Sequence, residues 1–135
     1  MDNMLKIIIA SGPVIVENSK VLLTLHGEDD FWKFCGGKVE NFNSGLIETA
    51  KREVMEEMGL NIEIIDENPF IMYILKETSN EKIDVILVHY LAKRIGEIAP
   101  AKDIREWQWF DINNLPENLA PNIKPALQHF NLINF

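Results

Sequence analysis

Hydrophobic and polar positions follow a strand-like pattern along most of the chain and change to a helical period once, near the middle. Leu5 to Val16 is dominated by β-branched residues and predicts a strand, interrupted near Gly12-Pro13. Glu17-Asn18-Ser19-Lys20 predicts a turn, and Val21 to Leu25 a second strand. An acidic loop, Gly27 to Asp30, leads through Phe31-Trp32-Lys33-Phe34 to the paired glycines Gly36 and Gly37. Lys38-Val39-Glu40 then reads as a short extended piece. From Ser44 to Met58 the apolar residues Ile47, Ala50, Val54 and Met58 fall at steps of three and four, which predicts a helix with one apolar stripe. Ser44 is the expected N-cap, and Gly59 stands where a left-handed C-terminal residue is wanted. Ile62 to Ile65, Phe70 to Thr78 and Ile83 to Ala92 predict strands, with Asn80 in the turn between the last two. Trp107 to Phe110 adds another, and Asn122 to Phe130 a closing helix after Pro116 and Pro121. Strands on both sides of one strong helix, with a late second helix, predict an α/β domain whose mixed sheet is covered on both faces.

Composition narrows this picture. The 135 residues suit a single domain, 1–135, and 47% apolar content suffices for a core without disulfide or structural metal. No apolar run approaches the roughly 20 residues that span a bilayer, and the N-terminus lacks a signal peptide's layout. No membrane association and a cytoplasmic location are therefore expected. A net charge of −8 repels nucleic-acid polymers, but admits a small polyanion if metal ions neutralise the meeting of charges. The lone Cys35 excludes an internal disulfide and reads as a small buried hydrophobe. His26, His89 and His129 lack ligand spacing, which argues against zinc. The oligomeric state stays open, a homodimer included.

The chemical signal lies on the central helix, in Arg52-Glu53-Val54-Met55-Glu56-Glu57-Met58-Gly59-Leu60. Glu53 precedes Glu56 by three residues and Glu57 by four, so the three carboxylates project from one face, opposite the apolar stripe. Such glutamates taken alone are more often a solvated face. Like charges at this spacing destabilise a helix slightly, and a hard cation such as Mg²⁺ would offset that. The glycines Gly36 and Gly37 just upstream allow backbone atoms to approach a ligand closely.

These residues resemble the signature of the Nudix hydrolase family: Gly, five residues, Glu, seven residues, then Arg-Glu-aliphatic-x-Glu-Glu-x-Gly-aliphatic. The second half is matched at every defined position from Arg52 to Leu60. Trp32-Lys33-Phe34-Cys35-Gly36-Gly37-Lys38-Val39-Glu40 is similar to the family's entry to the motif, and Glu106-Trp107-Gln108-Trp109-Phe110 with Leu115-Pro116 to its last strand and exit. Two departures stand out. The loop Asn41-Phe42-Asn43-Ser44-Gly45 is one residue longer than the pattern, and Asn43 or Ser44 occupies the place of the first glutamate. Glu48, four residues before Arg52, is a candidate substitute partner for that arginine. Cys35 replaces the usual proline.

The resemblance implies a Nudix-type α/β/α sandwich and Mg²⁺-dependent hydrolysis of a diphosphate linkage in a nucleotide derivative, with Mn²⁺ as a substitute metal. It implies Glu56 and Glu57 as metal ligands, Glu53 as ligand or proton acceptor, and the Gly36 carbonyl as a further ligand. Arg52 would orient the glutamates, and Gly37 and Lys38 would lie against substrate. Glu97 and Glu106 are candidates for an additional carboxylate. Pro69 and Tyr73 fall too early for the family's markers of ADP-ribose or diadenosine polyphosphate substrates. Leu119 to Pro125 is similar to the base-reading segment of MutT-type nucleoside triphosphate pyrophosphohydrolases, which makes Asn122 a base-contacting candidate; capping of the final helix is the plainer role. Trp32, Trp107 and Trp109 are candidates to stack a base, but at least two are expected to pack in the core. The partner is thus a small-molecule nucleotide or nucleotide sugar. The rival reading is a catalytically silent Nudix-fold module that binds a nucleotide or a protein partner, favoured only by the missing first glutamate.

Overall fold

A computed structural model describes residues 6–40 and 44–133 of the protein. Leu5, where the first strand was expected to begin, and Asn41, Phe42 and Asn43 of the long loop lie outside the described residues.

Strand β1 (Ile7–Glu17) organises the fold. On one edge it runs parallel to β6 (Lys82–Ile95), from Ile7 opposite Asp84 to Ile15 opposite Ala92. On the other edge, Ala10 and Ser11 pair with β3 (Gly37–Lys38), and Val16 and Glu17 pair with β2 (Lys20–His26). The expected interruption at Gly12-Pro13 is therefore a change of partner rather than a break, and the strand continues because β6 holds its opposite edge. Asn18 and Ser19, at φ 52° and 61°, form the two-residue turn into β2. Two positive φ values in succession give the twist that suits a hairpin.

The mixed sheet has the order β4-β6-β1-β2-β7, with β4 (Asn61–Ile64) and β7 (Ile104–Asp111) at its margins. β5 (Phe70–Glu77) pairs with the first part of β6. Helix α1 (Gly45–Met58) covers one face, and α2 (Ile123–His129) the other. Alternation along the strands decides which helix each residue meets. Ile15 and Leu22 pack with Val54 and Met58 of α1, whereas Val14, Val21 and Leu23 pack with Ile123, Ala126 and Leu127 of α2. This is the expected α/β/α sandwich. Full burial of each large apolar side chain here contributes roughly 1.5–3 kcal/mol.

The ends of α1 matter most for the site. Ser44 makes no side-chain cap bond, contrary to expectation; its backbone is itself helical, at φ −92° and ψ −17°, which is not the extended conformation a capping side chain needs. The C-terminus conforms: Gly59 is left-handed at φ 65°, and its N–H donates to the Met55 carbonyl. The carbonyls of Glu57 and Met58 accept from the N–H groups of Ala101 and Ala99, each at 2.8 Å. The loop before β7 thereby satisfies orphan acceptors of the last helical turn and anchors Glu57. No helix among the described residues is long and apolar enough to cross a membrane.

Candidate active site

The buried face of α1 is formed by Thr49, Ala50, Val54, Glu57 and Met58. The expected stripe is therefore modified: Ile47 is only half-buried, and a carboxylate belongs to the buried set. The three glutamates do not share one solvated face. Glu57 and Glu53, one turn apart, lean toward the β3 end, while Glu56 points outward, with its side chain 56% exposed. The Gly36 N–H donates to Glu57 Oε1 at 2.9 Å. A Cβ on Gly37 would overlap the Glu53 carboxylate, so the glycine leaves room for that side chain to lie against the strand. The paired glycines thus let two carboxylates reach the strand backbone.

Burial dominates the electrostatics. Glu57 is pushed up to about 7, first by desolvation and further by the neighbouring charges of Glu53 and Asp103, against the opposing Gly36 hydrogen bond. Glu53 is also raised, by desolvation first, with Arg52 opposing. One Arg52 nitrogen lies 3.3 Å from Glu53 Oε1 and 3.2 Å from Glu56 Oε1, and the other donates to the Lys38 carbonyl at 3.3 Å. Arg52 therefore bridges two glutamates and the backbone of β3. Glu48 is exposed and forms no ion pair with Arg52 among the described residues, because Glu53 and Glu56 occupy the guanidinium.

Among the described residues, no three carboxylate, imidazole or thiolate groups are gathered closely enough to hold a metal ion together. The donor set nevertheless fits a hard divalent cation. Its side-chain donors are carboxylate oxygens, and the desolvation and mutual repulsion that raise Glu57 are what a dication would relieve.

A cavity of about 400 Å³ opens beside these groups. Gly36, Gly37 and Glu57 line it together with Phe34, His89 and Asn122, apolar side chains of β5 and β6, and the cationic Lys33 and Lys76. Of the residues expected to meet substrate, Gly37 and Asn122 border the cavity; Lys38 is exposed and does not. Asn122 is buried but makes no side-chain cap bond to α2, which removes the plainer role assigned to it. Neither Glu97 nor Glu106 figures among the charges acting on Glu53 or Glu57; the later carboxylate that does is Asp103. Sequence reasoning missed Asp103, and also His26, whose Nδ1 lies 3.6 Å from Glu57 Oε2. No local spacing signals either, since both arrive from β2 and the loop before β7. Cys35 is buried, and burial pushes its thiol up, as befits an inert hydrophobe. Trp32 is buried edge-on to Phe110 and Trp109 packs on the α1 side, leaving Trp107 exposed.

The family model for the NUDIX domain matches residues 8–130. A search of curated proteins finds no sequence match. Among solved structures, the chain is similar to a MutT NUDIX hydrolase from Burkholderia pseudomallei, with TM-score 0.74 and 24% identity over 91% of this chain and 97% of that one. It is also similar to a NUDIX-family hydrolase from Clostridium perfringens, with TM-score 0.73 and 24% identity over 93% and 97%. A MutT protein from Methanosarcina mazei Go1 superposes with TM-score 0.69 and 22% identity over 96% of each chain. At these identities the superpositions speak for the fold.

Proposed function

The chain belongs to the Nudix hydrolase family, and from that premise we propose that it is a metal-dependent pyrophosphohydrolase of nucleoside triphosphates or closely related nucleotides. The observation that carries the reading is the placement of Glu53 and Glu57 against Gly36-Gly37, beside a cavity lined largely by apolar side chains, with Lys33 and Lys76 among them. A phosphate chain suits the charged groups of this lining, and the uncharged part of a nucleotide suits its apolar side chains.

Glu53, Glu56, Glu57 and the Gly36 carbonyl are the groups that would hold Mg²⁺, with Mn²⁺ as a substitute. When bound, the metal would polarise phosphoryl oxygens and lower the pKa of a bound water. The chain's own groups do the rest. Glu53, half-buried with a raised pKa, is suited to accept the proton of the attacking water. Arg52 keeps Glu53 and Glu56 oriented through its three contacts. Gly37 admits the phosphate chain close to the backbone, and Asn122 offers an amide donor and acceptor to the base. The clamped and partly desolvated carboxylates support an enzyme over a silent binding module, which would have no use for a proton acceptor beside the cavity.

The test is a panel of nucleoside triphosphates, nucleoside diphosphates and nucleotide sugars, with Mg²⁺ and product identification. Release of nucleoside monophosphate and pyrophosphate from a triphosphate is the expected result. No metal-dependent turnover on any member would overturn the proposal.

A further inference from the structure

Helix α1 covers only part of its side of the sheet. Its first turn meets the sheet at Ser11, whose hydroxyl donates to the Leu46 carbonyl at 2.7 Å, and later turns lie over Ile15. The rows of the sheet before Ser11 lie beyond the start of the helix. In register they are Ile9 with Ile86 and Tyr73, and Ile7 with Asp84 and Leu75; the row of Ser11 itself ends on Val88 and Ile71. Alternation puts all of these side chains on the α1 side. Ile7 is 51% exposed, Ile71 61%, Tyr73 58% and Leu75 45%, while Ile9 and Ile86 are half-buried. Together these six leave open roughly 500 Å² of mostly apolar surface, as much as the largest patch on an ordinary monomer, and such patches are often functional.

The patch ends on an open strand edge. No strand pairs with the outer edge of β5 among the described residues. A long apolar edge strand is normally blunted by charge or by a covering element. β5 carries charge only at its end, in Lys76 and Glu77. The charges that border the patch are balanced within the chain: Lys6 lies 3.5 Å from Glu81, Lys82 lies 3.7 Å from Glu77, and Asp84 accepts from the Tyr73 hydroxyl. On a chain of net charge −8, this is the kind of face on which a second, equally acidic copy meets little repulsion.

We propose that this face is a homodimer interface, in which β5 pairs antiparallel with β5 of a second copy about a two-fold axis at Tyr73. A two-fold interface must be self-complementary, and register selects the centre. An axis at Tyr73 sets Tyr73 opposite itself and Ile71 opposite Leu75, apolar against apolar. A centre at Met72 would set Glu67 opposite Glu77, and a centre at Ile74 would set Ile71 opposite Glu77. On the other face of the sheet, the chosen register brings the partner's Met72 opposite Ile74 and the partner's Phe70 opposite Lys76. Ile74 and Lys76 line the cavity, so the second copy extends the sheet beside it. Patch and paired edge together approach the roughly 800 Å² per partner of a stable interface.

The test is association of the intact chain without substrate or metal, so its outcome is separate from that of the hydrolase reading. Sedimentation equilibrium at about 10–100 μM, the weak end of the range for an interface of this size, should give twice the chain mass. Tyr73→Lys sets two ammonium groups face to face across the axis. It should weaken association by about tenfold or more and return the protein toward the chain mass, with an unchanged circular dichroism spectrum. Tyr73→Cys supplies a second readout, because Cys35 is the only native cysteine and is buried. Oxidation with diamide should link two Tyr73→Cys chains through a disulfide. Ile95→Cys, at an exposed position on the far end of β6, should stay unlinked under the same conditions. A wild type that stays at the chain mass throughout would leave the face to a different protein partner and overturn the proposal. A folded Tyr73→Lys that remains dimeric, or equal cross-linking at positions 73 and 95, would overturn it as well.

Discussion

Beside Gly36 and Gly37, Glu57 is a buried carboxylate pressed by like charges; in the lining of the same cavity His89 is more deeply buried, and burial alone shifts it. Desolvation is the leading influence on both, and in each it favours the neutral form, raising the acid and lowering the base. What differs is the company. Glu57 has Glu53 and Asp103 as neighbours, so its ionised state is costly. His89 has Phe34 and apolar side chains beside it, so it remains neutral across the physiological range. The two groups differ in whether charge surrounds them, not in whether they are buried.

The strongest way to break this contrast is to delete charge at the carboxylates alone. Glu53→Gln should lower kcat about 10²–10⁴-fold, the usual loss for a positioned proton acceptor, and Glu57→Gln should weaken metal binding directly. Circular dichroism of both variants should match the wild type. Near wild-type kcat in both folded proteins would reduce the α1 carboxylates to a solvated face.

The acid limb of stability probes His89. His89 has a folded pKa of about 4 against an ordinary 6.5, so below pH 6.5 the unfolded chain takes up a proton that the folded one refuses. Stability from this group is complete above about pH 6.5 and is lost as pH falls toward 4, by up to about 3 kcal/mol. Denaturant melts of wild type and His89→Phe at pH 7.5 and pH 5 should show the smaller acid loss in the variant. Equal losses would mean that His89 is hydrated in the folded state.

Metal addition sharpens the contrast from the other side. Mg²⁺ at about one hundred times its dissociation constant should stabilise the wild type by about 2.7 kcal/mol, visible as a raised Tm. Glu57→Gln should lose most of this gain and His89→Phe none of it. A Tm rise of the same size in all three proteins would place the ion elsewhere. The smallest effect is expected at Glu48, which the structure leaves exposed and apart from Arg52. Glu48→Ala should alter stability by no more than about 0.5 kcal/mol and leave kcat unchanged. A marked fall in kcat would reinstate it as a partner of the arginine.

The charged cluster was the legible one because its parts are local. Arg52, Glu53, Glu56 and Glu57 share one helix, and a helix converts spacing into direction with little help from the rest of the chain. The cavity lining combines Phe34 from the segment before β3, His89 from β6 and Asn122 from the entry to α2. Nothing near His89 in the sequence marks it, and a lone histidine in an apolar strand reads as packing. Asn122 was noticed by resemblance, yet a cap and a ligand contact look alike until the backbone angles are known.

By itself the sequence determined the order of strands and helices, the sandwich they form, and the helix that carries the carboxylates, since each depends on period, turn residues and spacing over a few neighbours. Only the tertiary structure decided that Glu57 is buried while Glu56 is not, and that Arg52 spends its guanidinium on Glu53 and Glu56. It also decided that β1 passes through Gly12-Pro13 unbroken, because β6 supports its far edge. Burial and partner choice depend on which distant segments a fold brings alongside, and that is a property of the whole chain rather than of any stretch of it.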